Sequence, residues 1–518
     1  MPANSWAEDD SYNELEALNS ILSDLSDNEK ETPETFSAMA LKSSYAGRRR
    51  KAALVLTVIW GGTIALHLVS WGSWFVLAMT TLYGIHALRI VFARPRLTTT
   101  LADESLEFPF VSLLVAAKNE EAVIANLVKT LCNQDYPYDK YEVWVIDDNS
   151  TDKTPDILAQ MAEKYNQLRV LRRAESASGG KSGALNQVLP LTKGEILAVF
   201  DADAQVAPNL LKQVLPLFAQ SKVGAVQVRK AIANATENFW TQGQVAEMAL
   251  DTFVQQQRVA LGGIGELRGN GQFVRRTALE RCGGWNEETI TDDLDLTFRL
   301  HLDQWDIECV SNCAVEEEGV TSAIALWHQR NRWAEGGYQR YLDYWRLIAS
   351  NQMGTRKTFD LFMFLLAQYL LPTAQVPDLL MAFARNRLPV LSPITTLAMA
   401  MSMVWMFRGI KQEAESLGCG FAVLENNAGA QSLGCSFASP KALQEGEATP
   451  HFFRSPKAIL EGAQKNPLST FFVVMFQTLR GTFYMLHWLV VMTSTTARMS
   501  VRPKRLKWVK TVHQGEKN

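Results

Sequence analysis

Asp201 and Asp203 stand one residue apart at the end of the apolar run 196–200. A short, continuous apolar run reads as a buried strand. With a side-chain period of two, both carboxylates can face one crevice beyond that strand's carboxyl end. Two close carboxylates repel each other, and a hard divalent cation such as Mg²⁺ or Mn²⁺ relieves the repulsion; a solvated turn is the plain alternative. A second acidic pair, Asp147-Asp148, ends the strand-like segment 141–146. A third group, Asp292, Asp293 and Asp295, follows Thr289-Ile290-Thr291. Here Leu294, Phe298 and Leu302 mark one helix face, with Thr291 in position to cap it. The helix dipole alone accounts for carboxylates at such a start; so does a catalytic base held at a pocket edge.

Cations lie between and after these clusters. Gly179-Gly180-Lys181-Ser182 resembles part of a phosphate loop, but residue 175 is Glu, so the Walker spacing fails. A glycine turn with a lysine at a helix start still sets a cation and amide donors near a diphosphate; an ordinary helix-start loop is the other reading. Downstream, Trp327-His328-Gln329-Arg330-Asn331-Arg332-Trp333 lies in a long helical stretch. It suits an interfacial helix beside a membrane. It equally suits a stacking face and cations for a sugar and its leaving phosphate.

The elements that must position these groups alternate between strand-like and helix-like patterns over about 108–347. Runs 110–116, 141–146, 168–171 and 196–200 read as strands, separated by helices such as 120–132 and one opened by Thr151-Asp152 with Pro155 in its first turn. That alternation predicts a mainly parallel α/β sheet. Ligands on such sheets bind beyond the strands' carboxyl ends, where Asp147, Asp148, Asp201 and Asp203 all fall.

The flanks are of a different kind. Residues 1–47 are acidic and predicted to be disordered, with no cleavable signal peptide. Residues 48–96 form a transmembrane hairpin: Arg48-Arg49-Arg50-Lys51, apolar runs 52–69 and 74–93, and a tight link at 70–73. The basic flanks hold the domain at 97–350 in the cytoplasm. Within 351–411, the run 359–382 contains Gln368, Pro372, Gln375, Pro377 and Asp378 and is predicted to lie at the interface, while 388–407 spans the membrane. Residues 412–467 are expected to be an extracytoplasmic, disordered insertion in which Cys419 and Cys435 could pair. Residues 468–518 supply a span at 468–492 and a basic cytoplasmic tail. About four spans result. The net charge of −3 offers no footprint for nucleic acid, and the scattered cysteines read as ordinary thiols.

The chemistry-bearing segments occur in one order across about 108–345: 115–121 (VAAKNEE), Asp147-Asp148, 180–186 (GKSGALN), Asp201-Ala202-Asp203, Thr291-Asp292-Asp293 and Gln329-Arg330-Asn331-Arg332-Trp333. The ordered set resembles glycosyltransferase family 2, in the membrane branch that includes cellulose and hyaluronan synthases. It departs at Ala116, where many relatives have Pro, and at Asp292, where many have Glu. The resemblance implies an inverting GT-A catalytic domain flanked by transmembrane helices. It implies that Asp147 and Asp148 contact the nucleotide, Lys181 lies by the donor, and Asp201 and Asp203 hold a metal-diphosphate; Asp203, the carboxylate farther from the strand, is the one expected to contact the metal directly. Asp293 would be the general base, and Gln329, Arg332 and Trp333 would line the acceptor end.

The tail, hairpin and acidic sites together are similar to the lipid-glucosylating cyanobacterial members of that branch. This implies UDP-glucose as donor, Mg²⁺ as cofactor, and the sn-3 hydroxyl of 1,2-diacylglycerol in the bilayer as acceptor, at a thylakoid or plasma membrane. A processive polysaccharide synthase shares the Gln-x-x-Arg-Trp pattern but needs a protein-lined channel and more spans. A non-catalytic scaffold would be expected to lose the carboxylates. Glucose versus galactose, and the oligomeric state, stay open.

Overall fold

The computed structural model describes residues 47–95, 108–426 and 467–501, with backbone only for 416–426 and 467–469. The acidic tail, most of the 412–467 segment with Cys435, the side chain of Cys419 and the basic C-terminal tail lie outside those described residues. Helices α1 (Arg48–Leu68) and α2 (Gly72–Phe92) form the hairpin. Gly72 permits the tight link, because a Cβ there would strike the Leu66 carbonyl. Leu54, Val58 and Leu68 of α1, and Trp74, Phe75 and Phe92 of α2, are exposed. Apolar surface on that scale fits lipid rather than water.

The expected strands follow. They are β1 (Val111–Ala117), α3 (Ile124–Leu131), β2 (Tyr141–Asp147), α4 (Thr154–Lys164), β3 (Leu168–Arg172), α5 (Gly180–Val188) and β4 (Ile196–Phe200). The block β3-β2-β1-β4 is wholly parallel. Every residue of β4 is buried, which is why its pattern is continuous rather than alternating. The second half of the sheet is less regular. It contains β5 (Gln205–Val206), α6 (Leu210–Val214), β6 (Val223–Ile232), α7 (Phe239–Ala260), β7 (Gln272–Arg275), α8 (Arg276–Arg281), α9 (Asp292–Leu302), β8 (Asp306–Glu317) and α10 (Ala323–Ala349). Strand β7 lies antiparallel between β4 and β6, and β8 runs parallel to β6. One apolar core packs α3 against Leu113, Phe200 and Phe273; another packs α5 and α9 against Leu114, Val199 and Trp285. This is the mainly parallel α/β sheet of a GT-A fold.

Beyond the domain come α11 (Thr355–Leu365), one π-helical turn, and α12 (Leu371–Ala384). Together they form one of three helical runs, among the described residues, long and apolar enough to cross a membrane; α1 and α2 are the others. The sequence pattern places this run at the interface, whereas its length and composition also suit a span. Among its polar residues Asp378 turns inward. Gln368 falls in the π turn, and Asp378 is fully buried, with Oδ1 2.7 Å from His67 Nε2 and both oxygens accepting the Val390 and Leu391 amides. A carboxylate so satisfied does not need water.

Helices α13 (Ser392–Asn426), α14 (Pro467–Met485) and α15 (His487–Val501) complete the described chain. Helix α13 carries on through 412–426, into the segment expected to be disordered. Its Glu413 Oε1 accepts from Arg229 Nη1 of β6 at 2.9 Å. The 412–467 segment therefore starts against the catalytic sheet, not across the membrane from it.

Helix α13 approaches α7 at Gly409, where a Cβ would collide with the Ala249 carbonyl; at Gly61 of α1 a Cβ would meet nothing. Gly409→Ala should thus cost about 1–3 kcal/mol through overpacking, and Gly61→Ala nothing comparable. Melting of the detergent-solubilised variants, a few degrees lower for the first alone, checks this.

Candidate active site

The crevice is floored by two interlocked loops. Following β1, the Asn119 amide donates to Ser150 Oγ at 2.9 Å and the Glu120 amide to Thr154 Oγ1 at 2.8 Å. In return, Thr151 N donates to Asn119 Oδ1 at 2.8 Å and Lys153 N to Glu121 Oε2 at 2.9 Å. Asn119 and Asn149 adopt left-handed backbone, φ 57° and 56°, a conformation Asn tolerates better than most residues. Glu120 and Glu121 serve this lock and the next two residues turn, so α3 starts later than its apolar pattern predicts. At the end of β2, the buried Asp147 accepts the Ser150 amide at 2.9 Å; its second oxygen has no hydrogen-bond partner and lies 3.5 Å from Arg172 Nε.

Asp148 is held by a residue that sequence reasoning missed. Arg173, buried, donates to Asp148 Oδ1 at 2.5 Å, Gln187 Oε1 at 3.1 Å, and the carbonyls of Ser178 at 2.5 Å and Gly180 at 3.2 Å. One guanidinium thus joins the acidic pair to the glycine loop, a use its five-donor fork allows. Gly179 has φ 83°, and a Cβ there would strike the Glu287 carboxylate. The loop delivers Lys181 into the first turn of α5, where its Nζ donates to Asp201 Oδ1 at 2.6 Å. Burial disfavours the Lys181 ammonium, but Asp201, Asp292 and Asp293 outweigh it and raise its pKa. Burial likewise opposes ionised Asp201, yet Lys181, Lys230 and Arg332 hold its pKa below the ordinary value. Asp203 accepts the Glu318 amide at 3.2 Å.

The start of α9 closes the crevice. Thr291 occupies the N-cap position but makes no side-chain cap bond. Its hydroxyl has no hydrogen-bond partner and packs against Gly336 of α10, where any Cβ would collide with it. Asp292 Oδ2 is also buried without a partner. Asp293 lies beside Gly269, whose Cβ would stand 3.4 Å from its Oδ2. Burial, then repulsion from Asp292, pushes the Asp293 carboxyl up to about 6, with Lys181 and Lys230 opposing. Asp295 points elsewhere: it pairs with Arg299 at 2.7 Å and accepts from Tyr344 at 2.8 Å, within the core.

Of the α10 residues, Arg332 reaches the carboxylates. Burial pulls its pKa down while Asp201, Asp293 and Asp292 counter. Gln329 accepts from Arg330 Nη1 at 2.7 Å. Trp333 has Arg330 over its ring at 4.0 Å and Lys230 at 5.6 Å. Lys230, at the end of β6 and paired with Glu317 at 2.8 Å, is a second residue the motifs did not reveal. The segment 223–228 ahead of it, Val-Gly-Ala-Val-Gln-Val, is broken by Gly224 and Gln227 and so carries only a weak strand signal. Asn270, which accepts the Asp201 amide at 3.2 Å, is a third. It rides on a loop rooted at Glu266, fully buried among Arg258, Arg268 and Arg340. The three arginines prevail over burial and lower that carboxyl to about 2.

Among the described residues no three carboxylate, His or Cys groups converge as a metal cage. Asp201 and Asp203 fit a hard cation that takes its other ligands from water and substrate phosphates, and the convergence of Lys181, Arg332 and Lys230 on the same crevice suits an anionic ligand there.

Residues 109–336 match the family model described as Glycosyltransferase like family 2. The chain is 63% identical over 515 residues to a beta-monoglucosyldiacylglycerol synthase of Nostoc sp., covering 99% of both chains. It is 51% identical over 516 residues to one from Synechocystis sp., covering 99% of this chain and 97% of that one. Among solved structures it is similar to a mannosyltransferase from Pyrobaculum calidifontis in complex with GDP-Man and Mn²⁺, with TM-score 0.47 and 22% identity over 69% of this chain and 98% of that one.

Arg173→Met should release the glycine loop. Amide hydrogen exchange in 178–188 is expected to rise about tenfold, the equivalent of 1.4 kcal/mol of lost protection, with β1 amides unchanged. Equal exchange in the two proteins would show that Arg173 does not restrain the loop.

Proposed function

Because the chain belongs to glycosyltransferase family 2 and to its beta-monoglucosyldiacylglycerol synthases, we propose that it transfers glucose from UDP-glucose to the sn-3 hydroxyl of 1,2-diacylglycerol, with inversion. The observation that carries this reading is identity of 63% along the entire chain, membrane helices included. The convergence of Lys181, Asp201 and Asp293 on one crevice supports it. The exposed apolar helices α1 and α2 supply a membrane surface from which a lipid hydroxyl can arrive.

Asp147, Asp148 and the Arg173-held loop line the nucleotide end. Asp203 and Asp201 would hold a divalent cation, Mg²⁺ or Mn²⁺, which when bound neutralises charge on the diphosphate leaving group. Asp293 takes the proton from the lipid hydroxyl as its oxygen attacks the anomeric carbon. The new C–O bond forms opposite the breaking bond to UDP, so an α-linked donor yields a β-glucoside. The electron pair of the broken bond leaves on the diphosphate, where Lys181 and Arg332 offset the charge. A carboxyl raised to about 6 is mostly ionised at neutral pH and a stronger base than an ordinary one. Gln329 and Trp333 belong to the acceptor end.

Incubating membranes that contain the protein with labelled UDP-glucose and diacylglycerol should give an organic-soluble glucolipid. An insoluble polymer, or preference for UDP-galactose, would overturn the assignment. Asp293→Asn should lower transfer by about 10²–10⁴-fold while UDP affinity is kept; near-normal transfer would remove Asp293 from the role of base. Since the base must be ionised, activity should climb with pH through about 6. In Asp292→Asn the like charge is gone, so that acid limb should move to lower pH. A pH–rate profile of the two proteins reads the direction.

A further inference from the structure

Trp333 is braced from behind by an assembly that no step of the glucosyl transfer uses. Arg330, fully buried, places its guanidinium carbon over the ring, 4.0 Å from the centroid. The same guanidinium donates to Glu247 of α7 and, at 3.2 Å, to the Tyr484 hydroxyl of α14. Glu247 is saturated by the two C-terminal helices: Tyr484 OH donates to it at 3.0 Å and Trp488 Nε1, from α15, at 2.8 Å. Trp488 places a second ring 5.9 Å from the Arg330 guanidinium. Gly243 makes the closure possible, since a Cβ there would enter the Tyr484 ring.

Burying a charge pair is no more stabilising than filling the same space with apolar side chains, so stability alone does not account for this assembly. A planar cation held through one edge by Glu247 and Tyr484 does orient an aromatic ring in a way a lysine or a leucine cannot. The helices that hold the pair are those with an exposed apolar face, at Phe476, Phe483, Leu489 and Val490. Their inner side fixes Arg330, and their outer side is suited to acyl chains.

We propose that Arg330, clamped by Glu247, Tyr484 and Trp488, is a positioning residue that sets the Trp333 indole for the diacylglycerol acceptor, so that the C-terminal helices help determine acceptor binding. This rests on the assignment of Trp333 to the acceptor end. The Lys181–Asp201 pair of the donor crevice is made without any group of the clamp.

The test uses the full chain in mixed micelles, with diacylglycerol and UDP-glucose varied separately. Arg330→Lys keeps the charge but loses the planar stack. It should raise KM for diacylglycerol about tenfold, while KM for UDP-glucose and the slow hydrolysis of UDP-glucose by water stay within about twofold. Trp488→Phe removes only the indole donor and should move the acceptor KM the same way, by about threefold; it decides the matter where Arg330→Lys fails to fold. An unchanged acceptor KM, or an equal rise in both KM values, overturns the clamp. Wild-type protein that forms no diacylglycerol glucoside overturns the functional reading itself, so the two failures are distinct.

Discussion

The Lys181–Asp201 ion pair at 2.6 Å is the contact on which the rest of the crevice depends. Carboxylates from two separate segments, Asp201 after β4 and Asp292 and Asp293 at the start of α9, are gathered within electrostatic reach of one ammonium, and without it their mutual repulsion would open the site. The lysine gets there only because Gly179 takes a left-handed turn and Arg173 ties that turn to Asp148. Backbone geometry at one glycine thus sets the charge balance at a strand end.

That balance also divides labour among chemically identical groups. Asp201 is held ionised by its cations, whereas Asp293 is pushed toward neutrality by burial and by Asp292. One carboxylate is suited to a metal or an anion's counter-charge, the other to proton transfer. The loop that separates them, Gly269-Asn270, continues from Arg268 and the Glu266 cluster. Arg258 of that cluster pairs at 2.9 Å with Asp360 of α11, whose carboxylate lies 3.6 Å from His86 of α2. Buried polar contacts therefore run without a gap from the membrane hairpin to the wall of the crevice.

What could be read from the residues was whatever followed a period. Strands β1 to β4 are short and mostly apolar, β4 continuously so, and were legible, as were the acidic groups at the ends of β2 and β4. Strands β5 to β8 were not recognised, because their pairings join segments far apart in sequence and include antiparallel neighbours that periodicity does not report. Arg173, Lys230 and Asn270 were missed for a related reason: each acts through a loop or an edge that only the assembled sheet brings near. Thr291 shows the opposite error, a residue with ideal capping chemistry whose hydroxyl is instead pressed against Gly336. Polar residues in 359–382 suggested a surface helix, but Asp378 had His67 and two amides waiting inside.

Helix α7 packs the catalytic sheet on one side, while Ala246, Ala249 and Phe253 on the other are covered by α2, α13 and α14. Arg229 of the sheet is likewise closed off by Glu413. A fragment ending near residue 350, the boundary that composition suggests, would uncover a greasy strip and strand a cation that normally has a partner. The catalytic part is thus not a detachable module on a membrane tether. Enzyme and anchor are one folding unit, and solubilising the first by trimming the second removes part of its own wall.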